Sequence, residues 1–304
     1  MKVKAIAPWF GGKRTLAPAI VTQLGKHTQY FEPFCGSMAV LLAKPPSQKE
    51  TVNDLHGELI NLAHILQRES TALELYERCS RTLMCEGLLN DAKDFFKATH
   101  VRPRGDGAHK LERAYWYFLA SWMGRNGTAG TERTDYQIAV RWTKNGGSPT
   151  VRWKNAVASI PDWHRRLSNV VILCRDAFRI IDRFEDHEAT AIYVDSPYMD
   201  ETRSSGANCR YLHDFASPVD PGSGGLFEAE EGPHQKLARI LNEYKHARIV
   251  VSHYDCEEVR SLYEGWTFLS KTRPKHLSGP GRKSPGPMKE APEVLIVNGP
   301  EFGE

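Results

Sequence analysis

The sequence predicts an α/β fold, an open mixed sheet with helices on both faces, interrupted by a long insert that is mainly helical. Three observations predict it. A strand–turn–helix–strand unit lies near the N-terminus, with Gly36 in its turn and Asp54 at the end of its second strand. The strand–helix rhythm breaks from residue 60 to residue 167. It returns with the apolar runs NVVIL and ATAIYV and persists to the C-terminal strands.

In APWFGGKRTLAPAIVTQL, Gly11 and Gly12 turn the chain. Leu16, Ile20 and Leu24 recur at spacing four, so a helix is expected from near Thr15. YFEPFCGSMAVLLAKPP reads as a short strand ending at Tyr30 and Phe31, a tight turn at Gly36, and a helix with Ser37 near its N-cap. Pro45 and Pro46 stop that helix. ETVNDLHGELINLAHILQRE gives a strand to Val52 and an amphipathic helix through Leu59, Leu62 and Leu66. Asp54 lies eighteen residues beyond Gly36. In nucleotide-binding α/β folds that geometry sets a cofactor across the carboxyl ends of the strands, with the acidic residue on ribose hydroxyls. A full GxGxxG is absent, so the aspartate spacing carries most of this signal.

The break contains the apolar helix ERAYWYFLASWMG, then a stretch of Gly, Asn and Thr turns. YQIAVRW and TVRWKN, joined by TKNGGSP, read as a β-hairpin or extended loop bearing Arg141, Trp142, Lys144, Arg152, Trp153 and Lys154. Residues 60–167 are therefore expected to form an inserted domain between two parts of the sheet domain, 1–59 and 168–304. Afterwards NVVILCRDAF reads as a strand ending at Asp176, AFRIIDRF as a helix, and ATAIYVDSPY as a strand. Residues 203–233 read as a long loop, PHQKLARILNEY as a helix, ARIVVSHY as a strand and DCEEVRSLYEGW as a helix. Two last strands, WTFLS and PEVLIV, flank the loop KTRPKHLSGPGRKSPGPMK, which holds too much Gly and Pro to be regular.

Net charge is only +3 over 304 residues, but it is uneven. Residues 101–166 hold twelve Lys/Arg against five Asp/Glu, and residues 271–289 hold six Lys/Arg and no acid. Two basic blocks interleaved with aromatics point to a polyanion such as nucleic acid; the plainer reading of either block alone is a solvated face. Six cysteines form no CxxC pair and twelve histidines show no HxxxH spacing, so neither a metal site nor a disulfide framework is expected. No apolar run approaches the roughly 20 residues that span a bilayer, and no signal peptide opens the sequence, so a cytoplasmic location is expected.

Four strand ends, at 31–36, 54, 176 and 195–198, converge on one crevice of such a sheet. There Asp195 can accept a hydrogen bond from an amino group, Pro197 stiffens the turn, and Tyr198 offers an exposed flat face for a base.

Read in order, these segments resemble one family. DSPY is similar to the Asp-Pro-Pro-Tyr motif of amino-methylating DNA methyltransferases. PWFGGK, FEPFCGSMAVLL and VNDLHGELINL resemble the N-terminal cofactor motif, the methionine-binding turn and the ribose-binding motif of the Dam-type DNA adenine-N6 methyltransferases. GRNG is similar to the core of their target-recognition domain, and VVSHYD and PEVLIV to their C-terminal part. The resemblance runs nearly end to end. It implies a Rossmann-like methyltransferase sheet, a target-recognition role for the insert, S-adenosylmethionine as cofactor and double-stranded DNA as partner. By the same resemblance Trp9 and Lys13 contact the cofactor, Phe34 and Gly36 line its methionine portion, Asp54 binds its ribose, and Asp176 meets its adenine. Asp195 borders the cofactor and, with Ser196, Pro197 and Tyr198, handles a flipped-out adenine. Arg125 and Asn126 are expected to read base edges, and Arg141, Lys144, Arg152, Lys154, Arg282 and Lys283 to grip phosphates.

Two departures stand out. Ser196 replaces the first proline of the motif while still supplying a backbone carbonyl. Met38 stands where the family often has a small residue, and is expected to crowd the turn and alter cofactor affinity. Three functions stay open: adenine-N6 methylation, methylation of cytosine N4 or an RNA amino group, and a DNA-binding relative with impaired catalysis. Asp195 at the first motif position favours adenine, and the absence of a Pro-Cys pair argues against cytosine-C5 chemistry. Plainer roles stand beside these: Asp54 and Asp176 as helix caps, Trp116 and Trp122 as packing, Trp142 and Trp153 as either packing or contact, His213 and His253 as structural. An orphan, phage or restriction-modification setting and the oligomeric state are left open.

Overall fold

The computed structural model describes residues 2–9, 11–99, 107–124, 137–140, 147–199, 231–271 and 293–303. Arg125, Asn126, Arg141, Trp142, Lys144, Arg282, Lys283, His213, most of the expected loop at 203–233 and nearly all of the basic loop at 271–289 lie outside the described residues.

The elements run α1 (Ala17–Leu24), β1 (Gln29–Glu32), α2 (Ala39–Ala43), β2 (Lys49–Asn53), α3 (Gly57–Gln67), α4 (Glu69–Arg81), α5 (Glu86–Ala98), α6 (Gly107–Met123), α7 (Pro149–Val157) and α8 (Ile160–Leu167). They continue as β3 (Val171–Leu173), β4 (Thr190–Val194), α9 (Pro233–Glu243), β5 (Arg248–Tyr254), α10 (Glu257–Leu262), β6 (Thr267–Lys271) and β7 (Glu293–Val297). One seven-stranded sheet has the order β3-β2-β1-β4-β5-β7-β6. Strands β1 to β5 pair in parallel, and β7 runs antiparallel between β5 and β6. Strand order reverses between β1 and β4, which opens a crevice at their carboxyl ends.

Alternation along the strands explains the layers. In β4, Ala191 and Tyr193 join one apolar cluster, while Ile192 and Val194 join the other. Every residue of β4 is buried, as a central parallel strand covered on both faces requires. The first cluster packs α1 to α8 on one face, through residues such as Ile20, Leu62, Phe118 and Trp163. The second packs α9 and α10 on the other, through Leu237, Leu241 and Val259. Helix α3 runs unbroken across residues 59 and 60, and α4 to α8 share the first cluster with the sheet.

Several expectations are corrected. The expected hairpin strand TVRWKN is helical: it lies in α7. Pro149 occupies the first turn, where its missing N–H costs nothing, and Trp153, Ala156 and Val157 form one buried face. Trp153 is thus core, packed on Phe118. The expected helix AFRIIDRF is two 3-10 turns, 177–179 and 181–183, separated by Ile180 at φ −130°. Strand β3 ends at Leu173, short of Asp176. Beyond it the amide of Asn53 substitutes for a neighbouring strand, donating to the Arg175 carbonyl and accepting from its N–H, both at 2.9 Å. The same amide donates to the Pro33 carbonyl at 3.0 Å, so one side chain ties the ends of β1, β2 and β3.

Candidate active site

The N-terminal segment is fixed by long-range bonds. Trp163 and Trp122 donate their indole N–H groups to the carbonyls of Val3 and Ile6, at 2.8 and 3.1 Å. Ile6 donates to the Ser37 carbonyl at 3.1 Å, which sets the strap against the turn after β1. That turn is closed by the Met38 N–H on the Cys35 carbonyl at 2.8 Å. Gly36 has φ +44° there, and a Cβ on it would stand 2.9 Å from the Trp9 indole nitrogen. Only glycine therefore lets Trp9 close over the turn.

Met38 caps α2 in the left-handed region, at φ 60°. It is the one non-glycine residue with positive φ among the described residues. Its side chain is fully buried in the first apolar cluster and does not line the pocket. The expected crowding of the turn is thus corrected to a backbone cost, about 1 kcal/mol for a left-handed residue with a Cβ. Ser37 lies one residue before this cap, near the helix start as expected.

A pocket opens at the switch point, lined among others by Trp9, Lys13, Glu32, Gly36, Ser37 and Asp195. Four predicted residues, Trp9, Lys13, Gly36 and Asp195, meet here; Phe34, Asp54, Asp176 and Tyr198 lie outside its lining. Asp195 follows β4. Its Oδ1 accepts from the Ser252 hydroxyl at 2.9 Å and lies 2.9 Å from the Lys13 ammonium. Ser252 has one proton and gives it to Asp195, so the Tyr193 hydroxyl, 2.9 Å away, is the donor to Ser252. Burial pushes the Asp195 carboxyl above its ordinary range; Lys13 and Ser252 oppose the rise and Glu293 adds to it.

Lys13 is 5% exposed and bridges two carboxylates, Asp195 and, at 3.1 Å, Glu293. Its ammonium also stands 4.9 Å from the centre of the Tyr198 ring. Tyr198 is not the exposed face that was expected. It is 7% exposed, its hydroxyl donates to Glu293 at 2.9 Å, and His253 and Tyr254 pack on the ring at 4.8 and 4.7 Å. Ser196, next to Asp195, is buried.

Asp54 bonds the neighbouring turn. Its two oxygens accept from the Gly36 and His56 N–H groups, at 2.8 and 2.9 Å. Burial raises its carboxyl while these amides hold it down, and the net direction is up. Asp176 accepts from the Phe178 N–H at 2.9 Å and so caps the first 3-10 turn. Phe34 packs against the second apolar cluster. In the insert, Lys154 stands exposed on α7. Arg152 instead donates to the carbonyls of Trp122 and Gly124, at 2.5 and 2.6 Å, and closes the C-terminal end of α6.

Sequence reasoning missed Glu32, Tyr193, Ser252 and Glu293. The first three left a signal, since a polar group within a buried strand has to bond something. Glu32 is the sharpest case. It is 2% exposed and accepts from the Tyr30 hydroxyl at 2.9 Å. Burial pushes its carboxyl from 4.5 up to about 8, against the Tyr30 hydroxyl bond and with the Asp195 charge adding to the rise. It therefore keeps its proton at neutral pH. Because the folded-state value is the higher one, the stability Glu32 contributes is whole below 4.5, declines as pH rises, and is gone above about 8. Glu32→Gln is expected to gain about 3 kcal/mol at pH 7, the gap widening by about 1.4 kcal/mol per pH unit across that window. Urea unfolding at pH 5, 7 and 9 checks this; a gap independent of pH refutes it.

Among the described residues no helix is long and apolar enough to cross a membrane, and no group of three His, Cys, Asp or Glu side chains is placed to hold a metal ion. No curated protein matches the sequence. The family model described as D12 class N6 adenine-specific DNA methyltransferase matches residues 9–276. That span takes in the Trp9 and Gly36 turns, the carboxyl ends of the five parallel strands and the Asp195–Tyr198 corner. The chain belongs to the D12 class of N6 adenine-specific DNA methyltransferases.

Proposed function

We propose that methyl transfer takes place at Asp195–Tyr198, from S-adenosylmethionine to an adenine swung out of double-stranded DNA, within a defined sequence. One observation carries this reading. The Asp195 carboxylate is held by Ser252 and Lys13 at the end of the central strand, beside Tyr198. The alternatives, cytosine N4 or an RNA amino group, have no comparable support.

The enclosed space is only about 10 Å³, so the lining must open to admit the cofactor, and it is the chemistry of that lining that supports its place here. Gly36 lets the Trp9 indole close against the turn as one wall, Asp195 offers a carboxylate to a cationic ligand, and Glu32, which keeps its proton, offers a neutral hydrogen-bonding group beside it. By motif position Trp9, Lys13, Phe34, Gly36, Asp54 and Asp176 would hold it. S-adenosylmethionine, when bound, supplies an electrophilic methyl group. Lys13's bonds to Asp195 and Glu293 support a place for it beside the target base as well.

A base buried in a duplex cannot reach this corner, so the adenine must leave the stack. Its ring would lie on Tyr198, which requires Lys13, His253 or Tyr254 to shift from that ring. Asp195 and the Ser196 carbonyl would accept the two N–H bonds of the exocyclic amine. That draws the nitrogen lone pair out of ring conjugation and fixes its direction, so positioning and preorganised charge carry the rate. The surplus proton on the amine then has Asp195 as its nearest carboxylate. Pro197 stiffens the corner.

Residues 60–167 are the proposed target-recognition region. Arg125 and Asn126 would read base edges, with Arg141, Lys144, Lys154, Arg282 and Lys283 on phosphates. Arg152 would serve them indirectly, by fixing the end of α6 from which residue 125 follows.

The test is transfer from labelled S-adenosylmethionine to unmethylated genomic DNA, with nucleoside mass spectrometry and sequencing of the modified positions. N6-methyladenine in one motif is the expected product. N4-methylcytosine, or no incorporation by a folded chain that binds DNA, would replace this reading with one of its rivals.

A further inference from the structure

We propose that Glu293 is a positioning residue for the target base, acting by anchoring the Tyr198 ring through its hydroxyl. The proposal rests on the reading of Asp195–Tyr198 as the transfer site. Strand β7 runs antiparallel to β5, so its first residue, not its last, reaches the carboxyl edge of the parallel strands. Register puts Glu293 opposite Tyr254 on one side and Lys271 on the other. Its side chain is 11% exposed, and a single oxygen, Oε1, takes both the Tyr198 hydroxyl at 2.9 Å and the Lys13 ammonium at 3.1 Å.

The geometry gives that contact a purpose. A tyrosine ring is fixed at one end by its backbone and is otherwise free to swing about two torsions. A bond at the hydroxyl fixes the far end, so the ring is already in place when its cover shifts aside for a base. The partner is a carboxylate, and a hydrogen bond to an ionised acceptor is stronger than one to a neutral group. Lys13 joins the same oxygen to Asp195, 2.9 Å from its ammonium, so the ring and the acceptor of the target amine share one network.

Single-turnover methyl transfer and S-adenosylmethionine affinity would be measured for the full chain and for Glu293→Ala, Glu293→Gln, Tyr198→Phe and the double variant Tyr198→Phe/Glu293→Ala. The alanine and phenylalanine variants are each expected to slow transfer about tenfold with cofactor affinity changed less than about threefold. The double variant should be no more than about twofold slower than the worse single, since Glu293→Ala already removes the Tyr198 contact, together with the one to Lys13. Glu293→Gln, which keeps an acceptor oxygen, should recover to within about threefold of wild type. A wild-type rate in Glu293→Ala, losses that multiply in the double variant, or a glutamine variant as slow as the alanine one would each overturn the proposal. A merely structural role would lower stability without this rescue. Should Glu293→Ala fail to fold, Tyr198→Phe decides, and a wild-type rate in it overturns the anchor. Failure of the underlying reading looks different: wild type transfers methyl groups and Asp195→Ala does so equally well.

Discussion

Asp195→Ala should lower methyl transfer by about a thousandfold or more, while DNA affinity stays within about threefold of wild type. Two effects add here. On the proposed mechanism the target amine loses the acceptor that orients its lone pair, and the Lys13 ammonium loses one of the two carboxylates it bridges. The basic residues proposed to grip phosphates keep their charge in this variant, so binding to DNA should survive. Asp195→Asn separates charge from shape, since it keeps an oxygen near Ser252 and Lys13 but cannot ionise. It should recover only part of the loss. The pH profile gives an independent check. The carboxylate must be ionised to accept the amine, and burial holds its proton on above the ordinary aspartate range of 3.8. The wild-type rate should therefore fall as pH drops through that raised value, giving an acid limb that Asp195→Asn lacks. Near-wild-type transfer by Asp195→Ala would move the chemistry to another corner of the sheet.

Much of this fold was legible because burial writes itself into periodicity. The run ATAIYV is apolar at nearly every position since β4 is covered on both faces, and Leu59, Leu62 and Leu66 mark the buried stripe of α3. What failed did so for particular reasons. Pro149 looks the same whether it breaks a hairpin or opens a helix, and only the buried face of Trp153, Ala156 and Val157 decides for α7. The two 3-10 turns at 177–183 carry the apolar spacing of a helix too short to sustain one. Asp195 and Gly36 could be found from strand ends. Glu293 could not, because its place depends on β7 running antiparallel, which no local pattern in PEVLIV records. Tyr198 was legible as an aromatic at a strand end, but the cover that Lys13, His253 and Tyr254 give it comes from three separate segments.

The largest stability effect is expected at Glu50, far from the carboxyl ends of the strands. Its Oε1 accepts from Lys44 at 2.6 Å and Arg166 at 2.8 Å, and its Oε2 from Arg166 at 2.5 Å. All three charges are buried or nearly so, with side-chain exposures of 2% for Glu50, 1% for Lys44 and 10% for Arg166. Arg166 also donates to the Leu41 carbonyl at 3.0 Å, so the cluster fastens α8 to both α2 and the start of β2. Removing the shared anion strands two cations in the interior, and Glu50→Ala should cost about 3–5 kcal/mol by urea denaturation. Glu50→Gln keeps one acceptor and should cost less. The pH dependence carries the sign. Burial pushes the Glu50 carboxyl up, but Arg166 and Lys44 outweigh it and hold it below its ordinary value. Its contribution is therefore present above 4.5 and lost as pH falls through the lower folded-state value, so the deficit of Glu50→Ala narrows in acid. It should narrow again in strong base. Burial already lowers the Lys44 ammonium below its usual 10.5, and without Glu50 it sheds its proton more readily, relieving one stranded charge as pH rises. A deficit that stays constant from acid to base would mean that packing, not charge, holds α8 to the sheet.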